Sequence, residues 1–249
     1  MYDMIFKRKS FHLFRNVGQE KLTEADICDI KNAYEKFVPL YADIKTAIRI
    51  MPSEKTLGRG AEYAIEIYSE KKENYKMNAG YLGQQLDHYL VSKNIGTLWF
   101  GIGKPEENEY EGLTYVIMIL IAKVDDEKKF RKDMFKSKRK SVEEIWTGPQ
   151  IKGVSDISRF APSACNSQPW RIQNEDGVLT VRRYLKPARI GIMSIVAARY
   201  FNCIDMGIYL RFLELCLTHE GYNFDRELFA DSGDEAENTI VAKYSIRHI

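Results

Sequence analysis

Apolar residues recur along the chain at two periods, and the switches between periods mark out its elements. Helical spacing over residues 23–37 predicts a first long helix. Alternation predicts strands near 47–51 and 61–69, and helical spacing resumes over about 78–94. The continuous apolar run within 115–124 reads as a buried central strand. The second half then repeats this order. A short helical stretch at 154–160 leads to a strand at 170–172, a hairpin turn at Asp176-Gly177 and a strand at 178–184. A long helix within 194–219 and a strand at 240–246 complete it. That helix has Ile204, Met206, Ile208, Leu210, Phe212, Leu213 and Leu215 around nearly all its faces, so it must be buried. The pattern predicts an α+β fold of two structural repeats, over 1–141 and 142–249, each an antiparallel or mixed sheet covered by helices.

A second signal favours a repeat. Leu82-Gly83-x-x-Leu86 and Met206-Gly207-x-x-Leu210 have the same spacing at an offset of 124 residues (206 − 82 = 124). Each glycine falls inside a helical pattern, where it is costly unless another backbone comes close. One identity misleads: Lys-Arg-Lys-Ser occurs at 7–10 and at 138–141, but the flanks differ and chance repetition explains it.

Composition narrows the class. The 249 residues suffice for one or two domains with a sizeable core, and a 45% apolar, 12% aromatic content is that of a globular protein. A net charge of +2 gives no general attraction to nucleic acid or membrane. The first ten residues are charged and lack the apolar region of a signal peptide, and the apolar run at 115–122 is too short to span a bilayer. Cysteines 28, 165, 203 and 216 show no paired spacing, which predicts reduced thiols in a cytoplasmic setting. Histidines 12, 88, 219 and 248 are scattered, so no metal site is expected. Cys165 has no identifiable basic partner and reads more simply as a small apolar residue than as a nucleophile.

The most informative stretch is Ala161-Pro162-Ser163-Ala164-Cys165-Asn166-Ser167-Gln168-Pro169-Trp170. Asn166 and Gln168 each offer a donor and an acceptor on one planar group, which suits the edge of a flat heterocycle. Pro169 fixes the backbone and Trp170 adds a large rigid surface. A polar turn between a helix and a strand would use the same residue types.

Pro162-Ser163-x-x-Asn166-x-Gln168-Pro169-Trp170 resembles the signature of the nitroreductase (NADH oxidase/flavin reductase) family of FMN enzymes. Three other segments are similar to elements of that family. Arg8-Lys9-Ser10-Phe11-His12 resembles its opening Arg-Arg-Ser-x-Arg. The segment from Asn94 through Trp99, Phe100 and Gly101 resembles its Gly-Leu-Gly-Thr-x-Trp. Lys138-Arg139-Lys140-Ser141-Val142-Glu143-Glu144 resembles its closing Arg-x-Pro-Leu-Glu-Glu. The order departs from the family, in which the Pro-Ser motif comes early. Here residues 37–52 occupy that place and contain no Asn, Gln or Trp.

The resemblance implies a nitroreductase-like pseudo-dimer within one chain and one intact flavin site. The first half would supply Arg8, Lys9, Ser10, His12, Trp99, Phe100, Gly101, Lys138 and Arg139. The second would supply Pro162, Ser163, Ala164, Asn166 and Gln168. It implies FMN as cofactor, NADH or NADPH as electron donor, and a nitroaromatic, quinone or similar small molecule as acceptor. Neither nucleic acid nor membrane is implied as partner, and the chain could be monomeric. The flavin would do the chemistry, so no side chain is named as catalytic.

Alternatives remain open. A flavin-binding or flavin-storage protein without turnover would show the same motifs. So would a descendant that has lost FMN, since His12 stands for the family's second Arg and Ser141 for its Pro. Residues 128–140 hold eight basic residues and one acidic, and read chiefly as a solvated linker or, last in rank, as a polyanion patch.

Overall fold

The computed structural model describes residues 1–56, 58–186, 191–234 and 236–248. Beyond the first two residues the chain divides into two compact units, 3–135 and 136–249.

The first unit opens with α1 (Met4–Lys7) and α2 (Glu24–Tyr34). Thr23 caps α2 in a capping box: its hydroxyl accepts from the Asp26 main-chain nitrogen, and Asp26 accepts from that of Thr23. Next come β1 (Thr46–Pro52), β2 (Tyr63–Ser69), α3 (Tyr75–Ser92), β3 (Ile95–Trp99), β4 (Glu109–Tyr110) and β5 (Leu113–Lys123). The sheet order is β1-β2-β5-β3, with β4 also on β5 and every pairing antiparallel. One core collects Ala64, Leu98, Met118 and Leu120 under Phe11, Phe14, Phe100 and Phe130. In α3, Gly83 lets the helix lie close to the sheet: a Cβ there would stand 2.5 Å from the Trp99 ring and 3.0 Å from Ile67.

The second unit contains α4 (Val142–Ile145), β6 (Trp146–Thr147), α5 (Ser155–Ser158), β7 (Trp170–Glu175) and β8 (Val178–Tyr184). It continues through α6 (Ile195–His219), β9 (Tyr222–Leu228) and β10 (Asn238–His248). Its sheet runs β6-β7-β8-β10-β9, antiparallel except for β6 on β7. Asp176 (φ 49°) and Gly177 (φ 77°) turn the β7–β8 hairpin through two left-handed residues, the combination that matches strand twist. In α6, Ser194 caps the start and every residue from Ile204 to Leu210 is buried.

Strand order is the same in the two units. Each has a hairpin, a long helix, an edge strand and a last strand inserted between the edge and the hairpin: β1-β2-β5-β3 in one, β7-β8-β10-β9 in the other. The α+β expectation holds, with three departures. Strands β3 and β9, and the two-residue strands β4 and β6, were not expected. The helix expected over 154–160 is a single turn, Ser155–Ser158, because Pro162 follows closely and the chain leaves the helical conformation. Residues 136–141 belong to the second unit rather than the first, held there by hydrogen bonds to the Pro-Ser loop.

Candidate functional site

The loop after α5 is a strained turn fixed from two sides. Cys165, Asn166 and Gln168 all adopt left-handed backbone conformations (φ 49°, 54° and 49°), a cost that persists only where surrounding bonds impose it. Ser163 Oγ accepts from Gln168 N at 3.0 Å, closing the turn. The basic segment clamps one side. Arg139 Nη1 donates to Asn166 Oδ1 at 2.7 Å, Asn166 Nδ2 donates to the Lys138 carbonyl at 3.0 Å, and Lys140 N donates to Gln168 Oε1 at 2.8 Å. Gln168 Nε2 turns back to the Asn166 carbonyl at 3.3 Å. Gln168 is buried and braces the loop from inside, whereas Asn166 lies at the surface.

Helix α6 clamps the other side. Asp205, buried, accepts from Ala164 N at 3.0 Å and from Ser167 Oγ at 3.2 Å, and Ser167 Oγ also reaches Asn202 Oδ1 at 3.2 Å. Burial pushes the Asp205 carboxyl up to about 7, against the pull of the Ala164 N–H and the Ser167 hydroxyl. Its partners are neutral, so a protonated carboxyl can still serve the loop by donating to Ser167. Ala164 packs against Leu185, Met193 and Ala198. Pro162 is buried and Ser163 half-buried, while Cys165 is an exposed free thiol.

Trp170 departs from its expected place. It is fully buried and stacks on Tyr209 with centroids 4.8 Å apart and planes 13° from parallel, so its ring is core rather than a surface offered to a ligand. Burial also pushes the Tyr209 hydroxyl well above its ordinary value.

The equivalent segment of the first unit is held in the same manner without an amide loop. Asn78 on α3 accepts from Leu40 N at 2.9 Å and Tyr41 N at 3.0 Å. Asn78 and Asn202 are 124 residues apart (202 − 78 = 124), the offset of the two Leu/Met-Gly motifs. A cavity of about 590 Å³ lies beside this segment, lined by Tyr34, Phe37, Ile44, Thr46 and Arg49 among others, and no Asn or Gln lines it.

Arg8, Ser10 and Trp99 meet in the first unit at Asp87, a residue the motifs do not include. Arg8 Nε lies 2.6 Å from Asp87 Oδ2, Trp99 Nε1 donates to the same oxygen at 3.0 Å, and Thr97 Oγ1 donates to Oδ1 at 2.6 Å. Arg8 and Asp87 are both buried. Burial alone would raise the Asp87 carboxyl, but the Arg8 charge, with His88 and the Thr97 bond, holds it below the usual carboxylate range. The remaining Arg8 nitrogens lie 3.4 Å from Ser10 Oγ, and Ser10 bridges in parallel to Thr97. Lys9 Nζ donates to the Lys129 carbonyl at 2.9 Å. His12 and Gly101 are exposed, while Phe100 is buried in the core.

The second unit therefore gathers Lys138, Arg139, Ser163, Asn166 and Gln168, and the first gathers Arg8, Ser10 and Trp99. Asp87, Asn202 and Asp205 escaped the sequence reading. Their one signal is a polar residue inside an apolar helical run. As chemistry, a surface amide beside a guanidinium and other cations is a donor set for an anionic, hydrogen-bonding ligand such as a flavin nucleotide, and in this respect the second unit fits FMN. Arg8 fits less well, since its guanidinium is buried and engaged. Among the described residues no group of three His, Cys, Asp or Glu side chains could hold a metal, and no helix is long and apolar enough to cross a membrane.

A family profile described as Putative TM nitroreductase matches residues 1–216. No curated protein sequence matches the chain significantly. A crystal structure from Thermotoga maritima, described as a putative nitroreductase, superposes with a TM-score of 0.63 at 17% identity, covering 98% of this chain and 92% of that one. A nitroreductase family protein of Clostridium difficile gives 0.47 at 10% identity, covering 58% and 96%. An FMN-dependent nitroreductase from the same species gives 0.40 at 14%, covering 57% and 99%.

Proposed function

The chain belongs to the family described as Putative TM nitroreductase, and from that membership we propose that it is an FMN-dependent oxidoreductase. Its electrons come from NADH or NADPH and pass to a nitroaromatic, quinone or similar small acceptor. The observation that supports this reading best is the doubly clamped loop: Asn166 is held at the surface by Arg139 and Lys138, while α6 anchors the loop from behind through Asp205. A turn serving only to connect α5 to β7 has no need of three left-handed residues fixed by two elements.

Bound FMN would supply the redox chemistry, taking up hydride and releasing electrons to a second substrate. The chain's own residues bind and orient. Asn166 offers the surface amide, Ser163 and Gln168 set the loop's shape, and Arg139 places a charge beside it. The test begins with the purified protein's colour and the identity of its released chromophore. It continues with steady-state oxidation of NADH and NADPH in the presence of a quinone. A yellow protein releasing FMN and turning over both substrates is the expected result. A colourless protein that takes up no FMN defeats the reading, and a flavoprotein without turnover marks a binding or storage protein.

A further inference from the structure

The two units share a strand order but differ at one sheet edge. In the second, β6 lies parallel on the outer edge of β7, pairing Trp146 with Ile172 and Thr147 with Gln173. Trp146 is buried there, with its Nε1 donating to the Pro149 carbonyl at 3.0 Å, and Thr147 Oγ1 donates to the Ile172 carbonyl at 3.3 Å. The counterpart of β7 is β1. The strands begin at Trp170 and Thr46, again 124 residues apart (170 − 46 = 124), which makes Ile48 the counterpart of Ile172 (172 − 48 = 124). Among the described residues no strand lies on the outer edge of β1. Glu70 N donates to the Lys45 carbonyl at 2.9 Å and Ser53 N to the Glu62 carbonyl at 3.1 Å, so the odd-numbered residues face β2 in this antiparallel ladder. The N–H and C=O groups of Thr46, Ile48 and Ile50 therefore point outward, and none has a main-chain partner among the described residues. The same parity holds in β7, where Tyr184 N donates to the Pro169 carbonyl at 2.6 Å and leaves Ile172 facing β6.

The cavity of about 590 Å³ follows this edge. All of residues 46–50 line it, and because successive side chains of a strand point to opposite faces, only an edge presents such a run to one cavity. Tyr34, Phe37 and Tyr110 supply aromatic walls. Its charges balance: Lys31 and Arg49 are matched by Glu35 and Glu111, and Arg49 is already paired with Glu106 at 2.9 Å and Glu107 at 3.2 Å. An unpaired main-chain edge between aromatic walls, with no excess charge, suits a peptide main chain better than an ion. We propose that the outer edge of β1 docks an extended peptide segment of a partner protein, added parallel to β1 with one large apolar side chain beside Ile48. The parallel direction and the place of that side chain follow from β6 and Trp146 on the equivalent edge. None of these residues belongs to the flavin motifs, so the site stands or falls apart from bound FMN.

Hydrogen–deuterium exchange on the full chain, read residue by residue, tests this with a synthetic peptide of the chain's own Val142–Pro149 segment as probe, since that segment covers the equivalent edge. Without peptide, the amides of Thr46, Ile48 and Ile50 should exchange faster than those of Ala47, Arg49 and Met51, which β2 holds. With peptide at about ten times its Kd, the three outward amides should slow about tenfold. Ile48→Pro removes one outward N–H and leaves the β2 ladder in place, so peptide affinity should fall about tenfold or more. Trp146→Ala in the peptide should cost about tenfold or more as well. That change leaves the protein unaltered, so it decides the matter if Ile48→Pro does not fold. Outward amides as slow as the inward ones in the native chain alone would mean an edge already covered, by a second copy where light scattering gives a dimer, and would overturn the proposal. So would a peptide that fails to bind at about 1 mM, or binding that leaves the three amides unchanged. Equal slowing by tryptophan alone would mark a small-molecule cavity and overturn it too.

Discussion

The guanidinium of Arg8 is 4% exposed and its Nε rests on a fully buried carboxylate, a pair that costs far more to break than it gains by forming. Arg8→Ala would strand the Asp87 charge, and chemical denaturation should show a loss of about 3–5 kcal/mol. Because the folded state holds Asp87 below its ordinary value, the pair's contribution is present at neutral pH and lost as pH falls through that lowered value. A loss near zero would mean that Arg8 is not the partner Asp87 depends on. At Asn166 the relevant neighbour is Arg139, 2.7 Å away. Asn166→Leu and Arg139→Ala should each weaken FMN binding by about ten- to a hundredfold, the scale of lost hydrogen bonds to a charged ligand. The double variant should lose much less than the product, since each single change also releases the other side chain. Additive effects in a calorimetric double-mutant cycle would show that the two act on the ligand separately.

At the scale of elements, the pH behaviour of the amide loop belongs to α6. Asp205 ionises near 3.8 in an unfolded chain and at about 7 when folded. Its neutral form therefore favours the fold fully below pH about 4, and that contribution falls as pH rises and is gone above about 7. The span corresponds to about 4 kcal/mol. Thermal melts should show stability falling between about pH 4 and about pH 7, and Asp205→Asn should flatten the slope. A native-like slope in that variant would assign the effect elsewhere. The elements themselves were largely legible. Strand β8 and helix α6 lie within a residue of where the apolar period put them. Strand β3 was hidden because only Lys93 and Asn94 separate it from α3, and the reversal rests on one left-handed residue, Asn94 (φ 57°). Strand β9 alternates half-buried and exposed residues without the strongly apolar face of a central strand. The loop motif was readable because its residues are contiguous. Asp87 and Asp205 were not, since a carboxylate in an apolar helix gains its meaning from chain 10 to 79 residues away (Thr97 and Arg8 for one) and 38 to 41 away for the other.

For the whole molecule, the decisive asymmetry lies between two units of one strand order. The second has the amide loop, and the corresponding 37–52 segment of the first has no Asn or Gln. One FMN per 28.9 kDa chain is therefore expected, by absorbance of released flavin against quantified protein. Two flavins per chain would show that an amide loop is not what selects the site. The clamp on Asn166 should also slow loss of its side-chain amide. Asparagine is among the thermolabile residues, and it loses its amide when the following main-chain nitrogen closes on the side-chain carbon. Here Ser167 N is engaged with the Ala164 carbonyl at 3.0 Å and the amide is held at both ends by Arg139 and Lys138. Peptide mapping of warmed protein should find residue 166 intact in the native chain and converted first in Arg139→Ala, with equal conversion in both arguing against protection.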